Sequence, residues 1–390
     1  MDLLKEANEL QTELTAWRRQ LHAEPETGFD LHKTLPFVEE SLHSMGLRPR
    51  RCGRAGLTVT LGRREGKCIL LRADMDALPL REESGLSFAS SNGAMHACGH
   101  DLHTAMLLGA AKLLTAHEAE LRGCVKLMFQ PAEETFEGAK DMIAGGVLEE
   151  PKVDAAVMLH VLGGMPLPVG TVIVCAPGVS APAADYFEIT VRGKGCHGSA
   201  PQQGVDALTA AAHILLGLQE LNARELGADE AAVLTVGTLS GGTAGNIIAD
   251  SARMEGTLRT YDEAVRARLK ERMEEIAVGL AAAYRARAEV RFGTGCPTLV
   301  NDETLCAAAL RHGRALLGEQ AVRSAAELRG RGGGSEDFAY ISHKVPAVML
   351  SLAAGGQYPQ HHPAVTFDET VLSVGAALYA KLALGWLAEN

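Results

Sequence analysis

Acidic, imidazole and thiol side chains stand at the ends of short apolar runs in this sequence. Asp74 and Asp76 close the run Cys68–Ala73 in RADMDALP, and Glu133 and Glu134 follow Cys124–Gln130 in QPAEE. His160 ends a third run in VMLH, and His361 and His362 follow a fourth after a glycine-rich loop. Between the first two runs lies His96-Ala-Cys98-Gly-His100-Asp101-Leu-His103. Cys98 and His100, two apart around a flexible glycine, can both turn toward one centre, and thiolate plus imidazole suits zinc or a similar divalent ion. The adjacent Glu133 and Glu134 offer a division of labour: one carboxylate for a cation, the other to take a proton from water and pass it to a leaving nitrogen. The chemistry these types support together is metal-assisted hydrolysis. The same two glutamates are compatible with a charged start to a helix running on through Gly138 and Met142.

For such scattered residues to act together, the runs must bring them to one place. Helical pattern over Leu3–Leu21 and Thr104–Leu114 alternates with the apolar runs Cys68–Ala73, Cys124–Gln130 and Ala155–Leu159. Short continuous apolar runs separated by helices predict an α/β fold with a mainly parallel sheet covered on both faces. The carboxyl ends of parallel strands share one edge, where ligands bind. From about Asp185 the order changes: strand Tyr186–Arg192, helix Val205–Leu221, strands Ala232–Leu239 and Ser251–Thr260, helix Asp262–Arg285 and strand Ala288–Phe292. That is the β-α-β-β-α-β pattern of a ferredoxin-like α+β unit. The first pattern then resumes with a helix over Glu303–Leu317 and a strand over Ala347–Leu352. The expected division is a discontinuous domain of 1–183 and 296–390 with residues 184–295 inserted.

At 390 residues, 47% hydrophobic and 22% charged, the chain has an ordinary globular composition and length enough for two domains. A formal charge of −11 disfavours nucleic acid and anionic membranes as partners. The one basic cluster, Arg48, Arg50, Arg51 and Arg54, reads as a solvated loop. Charges at Asp2, Lys5, Glu6 and Glu9 interrupt the stretch Met1–Glu9 where a signal peptide would be apolar, and no membrane span is expected after it, so the expected location is the cytoplasm. The eight cysteines are expected to be thiols. Gly193-Lys-Gly195-Cys-His-Gly198 matches a dinucleotide fingerprint, but Ser199–Gly204 intervenes before the next helix, so a phosphate would find no helix N-terminus. His22, His32, His43, His117, His213, His312 and His343 have no partner motif and read as surface or satisfied core positions. The glycine run Gly332–Gly334 is the one low-complexity tract.

Taken together the segments resemble the M20 metallopeptidase family, in its aminoacylase, hippurate hydrolase and auxin-conjugate hydrolase branch. The matching pieces are RADMDALP, HACGHDLH, QPAEE with Gly138, Ala139 and Met142 downstream, His160, GKGCHGSAP with Asp206, GGTAGNIIAD, GTLRT, GGSEDFAY and HHPAVTFDE, in the family's order. The resemblance implies that Cys98, His100, Glu134, His160 and His361 hold two divalent metals, zinc or manganese with cobalt or nickel as alternatives, and that Glu133 is the general base. His361 is selected over His362 by the family's His-any-Pro pattern. Asp76 resembles an aspartate that orients a neighbouring ligand, whereas Asp74 stands where other branches place a histidine ligand. His197, Asn246 and Arg259 are assigned to the substrate, the imidazole to an oxyanion and the other two to a carboxylate. Ala249 departs from the family's usual Ile-Pro-Asp after the asparagine. The implied activity is hydrolysis of N-acyl amino acids, with the inserted domain as a closing lid and homodimer contact. A dipeptidase or carboxypeptidase with the same machinery, and a non-catalytic metal or amino-acid binding protein, are the alternatives.

Overall fold

The computed structural model describes residues 2–63, 65–327 and 333–390, so Met1 and Gly332, both named above, lie outside the described residues. The chain divides into two compact units, one of Met1–Ser180, Val300–Arg331 and Glu336–Asn390, the other of Ala181–Leu299 with Gly332–Ser335.

The first unit is α/β. Its sheet runs, edge to edge, Arg50–Cys52, Gly56–Gly62, Cys124–Gln130, Cys68–Asp74, Ala155–Leu162, Ala347–Ala353, Val172–Val174 and Val322–Ser324. The four middle strands from Cys124–Gln130 to Ala347–Ala353 are mutually parallel. Antiparallel pairing enters toward the two edges. Every residue of Cys68–Asp74 and Cys124–Gln130 is buried, as continuous apolar runs covered on both faces must be. The helices His100–Ala116 and Val371–Glu389 pack in this core. The second is apolar and long enough to cross a membrane by composition, but most of it is buried inside the protein, as in a core helix.

Several elements differ from the sequence reading. The first helix is two, Leu3–Glu9 and Gln11–Ala23, because Leu10 N–H bonds to Ala7 O at 3.0 Å, a tighter three-residue turn that steps the axis. The helix expected from Thr104 starts at His100, directly after Gly99 in the left-handed region at φ 87°. Glu133 and Glu134 are not on a helix. Ala132 and Phe136 have φ of 54° and 57°, which interrupts helical geometry, and the helix begins only at Gly138. A Cβ on Gly138 would lie 1.6 Å from Pro131 O, so only glycine lets the chain double back there. Arg50 and Arg51 belong to an edge strand rather than a loop, Arg51 pairs with Glu39 at 2.5 Å, and Arg54 lies over the Phe29 ring.

The second unit is a four-stranded antiparallel sheet in the order Ala232–Gly241, Ser251–Thr260, Ala183–Arg192, Arg287–Cys296. Its helices Ala207–Glu220 and Glu263–Ala283 give the chain order β-α-β-β-α-β. Alternation decides which face they cover: Phe187, Ile189 and Val191 are buried with Ile214, Leu218, Leu269 and Met273, while Tyr186 points out. The glycine-rich Gly193–Gly198 cannot serve a phosphate, since the next helix has its first N–H groups on the Asp206 carboxylate, Leu208 N at 3.0 Å and Thr209 N at 3.1 Å.

Candidate metal centre

Three strands, near their carboxyl ends or through the loops that follow them, and one helix start deliver the candidate ligands of the first unit. Donor atoms of Cys98, His100 and His160 lie within 4.8 Å of one another, as do those of Cys98, Glu134 and His361, and those of His100, Glu133 and Glu134. Cys98 Sγ is 3.5 Å from His160 Nε2. Glu134 Oε1 is 3.9 Å from His100 Nε2 and 3.6 Å from His361 Nε2. The five positions assigned by resemblance therefore stand together. His362 stands apart from them: its ring stacks on Tyr358 at 4.2 Å, and its Nδ1 accepts the Ala364 N–H.

Local structure aims these side chains. Gly99 must be glycine, because at φ 87° a Cβ would sit 2.4 Å from Val161 Cγ2. This kink lets Cys98 and His100 face one way. His100 Nδ1 donates to Asp76 O at 2.8 Å, which leaves Nε2 bare and turned inward. The Asp76 carboxylate accepts from Glu133 N at 2.9 Å and Glu134 N at 3.2 Å. Asp76 thus orients an imidazole through its carbonyl and the glutamate pair through its side chain. His361, at φ 65°, is held by its N–H on Ala97 O at 3.0 Å. The preceding Gln360 reaches Val161 O at 3.1 Å, beside His160.

Two atoms show what the cluster wants. His100 Nε2 and Glu134 Oε1 are buried without a hydrogen-bond partner among the described residues, and they face each other. Polar atoms are seldom left so. Burial, then the charges of Glu336, Glu134 and Asp337, pushes the Glu133 carboxyl well up. Burial pushes Glu134 up to about 7 and the Cys98 thiol up to about 12. So many acidic groups in one dry place call for positive charge, and a divalent cation restores their anionic forms. The donor set of thiolate, imidazoles and carboxylate fits such an ion.

Glu133 is nearly buried, with Oε2 4.0 Å from His100 Nε2. It groups with Glu336 and Asp337, which the sequence reading quoted inside GGSEDFAY without a role. Arg72 and His103 were also passed over. Their signals were a charge inside the apolar run CILLRA and a histidine one helical turn after His100. Asp74 is 3.7 Å from His100 Nε2 but bonds to Arg72 at 2.5 Å and to His103 at 2.6 Å.

His197, Asn246 and Arg259 belong to the second unit. The strand Cys196–His197 pairs with Ile247–Ile248, and Gly198 N–H bonds to Asn246 O at 2.7 Å, so His197 and Asn246 are neighbours. Ser199 N–H donates to His197 Nδ1 at 3.1 Å, which places the ring proton on Nε2. Arg259 donates to Ser335 Oγ at 2.6 Å.

Residues 70–385 match the model of peptidase family M20/M25/M40. The chain is 38% identical over 379 residues to N-acetylcysteine deacetylase of Bacillus subtilis, covering 96% of each. It is 41% identical over 299 residues to an N-acyl-L-amino acid amidohydrolase of Geobacillus stearothermophilus, covering 75% of this chain and 79% of that one. A crystal structure of a dinuclear metal-binding M20 peptidase from Bacillus subtilis superposes with TM-score 0.82 at 36% identity, over 98% of this chain and 99% of that one. The chain belongs to peptidase family M20/M25/M40.

Proposed function

We propose that this chain is a metal-dependent amidohydrolase that cleaves N-acyl amino acids to a carboxylic acid and a free amino acid. The observation that carries the reading is the pair His100 Nε2 and Glu134 Oε1, without a hydrogen-bond partner among the described residues and set among Cys98, His160 and His361 with the second carboxylate of Glu133 beside them. The relatives named for N-acyl amino acid hydrolysis and N-acetylcysteine deacetylation support the substrate class.

Cys98, His100, Glu134, His160 and His361 would hold two divalent cations. When bound, the cations would polarise the amide carbonyl and lower the pKa of water. The thiolate favours zinc, and the imidazoles and carboxylate admit manganese, cobalt or nickel. Glu133 takes the proton of the attacking water and delivers it to the departing nitrogen. Asp76 keeps that carboxylate in place by accepting the N–H groups of both glutamates. His197, with its proton on Nε2, is a donor for the oxyanion, while Arg259 and Asn246 suit the substrate carboxylate. The second unit is read as the lid and the contact of a homodimer, for which its helices offer the exposed Leu216 and Val278. Eight cysteines outside any disulfide are in keeping with the cytoplasm.

The experiment is release of free amino acid from N-acetyl and N-benzoyl amino acids and dipeptides, by protein stripped with chelator and then given zinc, manganese or cobalt. Metal-dependent turnover of the acyl substrates is expected. Faster turnover of dipeptides would make the chain a peptidase instead, and metal binding without any turnover would make it a binding protein.

A further inference from the structure

The strand Cys68–Asp74 is buried on both faces, yet it carries an arginine at its fifth position. Burying a guanidinium is strongly unfavourable unless paired anions and hydrogen bonds offset the loss of water. Arg72 is fully paired. Its Nε donates to Gln130 Oε1 at 2.9 Å, Nη1 to Asp74 Oδ2 at 2.5 Å, and Nη2 to Asp337 Oδ1 at 2.9 Å, with Glu336 Oε1 also 2.9 Å away. An apolar residue would serve the sheet as well, so the arginine points to what its partners hold.

Those partners stand where the sheet opens. Cys68–Asp74 and Ala155–Leu162 pair from Ile69 with Ala155 to Arg72 with Met158, and no further. Beyond that point Ala155–Leu162 stays paired only with Ala347–Ala353 on its other side. In a parallel ladder alternate residues bond to alternate neighbours, and Ala156 N–H goes to the Ala347–Ala353 side through Pro346 O. Leu159 and Val161 therefore turn their N–H groups toward the gap. Side chains replace the missing strand: Leu159 N–H donates to Tyr379 Oη at 2.9 Å, and Val161 N–H donates to His103 Nε2 at 2.8 Å. From the other bank, Tyr379 Oη donates to Arg72 O at 2.6 Å, and Asp74 Oδ1 accepts from His103 Nδ1 at 2.6 Å. His160 lies between the two N–H groups so held, and His100 is one helical turn before His103.

We propose that Arg72, Asp74, His103 and Tyr379 are a positioning relay that spans this fork and sets where His160 and His100 stand toward a metal. The proposal rests on the reading of the site as a metal centre. It also assigns Asp74 and His103, whose donor atoms group with His100 within 4.8 Å as if they were a ligand set. Both His103 nitrogens are spent, one donating to Asp74 and the other accepting from Val161, so no lone pair remains for an ion. Asp74 is the counter-ion of Arg72 and the acceptor that fixes the His103 tautomer, as carboxylates behind metal-binding imidazoles do.

The test compares wild type with His103→Ala, His103→Gln and Tyr379→Phe. Glutamine can accept from Val161 and donate to Asp74, whereas Tyr379→Phe removes one hydroxyl and little else, so it stands in if His103→Ala fails to fold. Zinc stoichiometry by mass spectrometry and zinc affinity by chelator competition are read alongside kcat and KM. The expected result for His103→Ala is both ions retained at full loading, affinity weakened roughly 10- to 100-fold, and kcat lowered with KM within about twofold. His103→Gln should recover most of the affinity, and Tyr379→Phe should weaken it several-fold. Unchanged competition in every folded variant would overturn the relay and leave the metal reading standing. Loss of one whole ion in both His103 variants would overturn it in favour of His103 as a ligand. A wild-type chain that binds no divalent ion would overturn the metal reading and the relay with it.

Discussion

Glu133 and Glu134 are consecutive, and the turn between Pro131 and Gly138 sends them to different neighbours, Glu134 to His361 and Glu133 to Glu336 and Asp337. Glu133→Gln should keep the metal content of the wild type and lose roughly 10²- to 10⁴-fold in kcat, the usual worth of a positioned general base; retained turnover would remove the glutamate from that role. Gly99→Ala should destabilise by roughly 1–3 kcal/mol and lower metal content in the same protein, because a methyl there meets Val161 and the backbone is left-handed. Thermal unfolding and metal analysis of the variant check both effects. At this scale the sequence was legible where reactive types crowd together, as in Cys98 and His100, or stand at the end of an apolar run, as His160 does. Arg72, His103 and Glu336 were not legible, since each matters for what it touches across the sheet. A charge inside the apolar run CILLRA marks Arg72 as unusual, but the run does not say which groups pair with it.

At the scale of elements, caps and ion pairs hold the second unit together. Asp262 accepts from Ala264 N at 2.8 Å and Val265 N at 2.9 Å at the head of Glu263–Ala283, so Asp262→Ala should cost about 1 kcal/mol in a denaturant melt. Asp185 bonds to Arg266 Nε at 2.7 Å and to Lys270 at 2.8 Å. Burial pushes its carboxyl up, but the two cations outweigh this and hold it below the usual range. A depressed carboxylate stabilises above its unfolded pKa of about 3.9 and loses that stabilisation as pH falls through its folded pKa. Asp185→Asn should therefore be less stable than wild type by about 2 kcal/mol near pH 7. The gap should close on acidification below about pH 4, and a gap constant with pH would refute the assignment. Strands such as Cys124–Gln130 and Ser251–Thr260 were readable end to end, because apolar runs and alternation state burial directly. The turn after Gln130 was not, because its left-handed residues are Ala132 and Phe136 rather than glycines. Their conformation comes from packing and has no local signal.

For the whole molecule, bound metal is linked to stability. An ion held only by the folded chain adds roughly 2.7 kcal/mol when present at about a hundred times its Kd. Stripping with chelator should lower the melting temperature by several degrees, and returning zinc should restore it. Glu133→Gln should show the same shift as wild type, whereas Glu134→Gln should show a reduced one, which separates base from ligand without measuring turnover. The sequence by itself determined the fold class, the β-α-β-β-α-β order of residues beyond Asp185, and the residue types able to hold a cation. These follow from local periodicity and from side-chain chemistry, which any stretch of chain carries with it. Only the tertiary structure decided that Cys98 stands with His100 and His160 and also with Glu134 and His361, that Asp76 clamps both glutamates, and that Asp74, though 3.7 Å from His100, bonds to Arg72 and His103. Those outcomes depend on which strands become neighbours and where two of them part, a property of the assembled sheet that no single segment encodes.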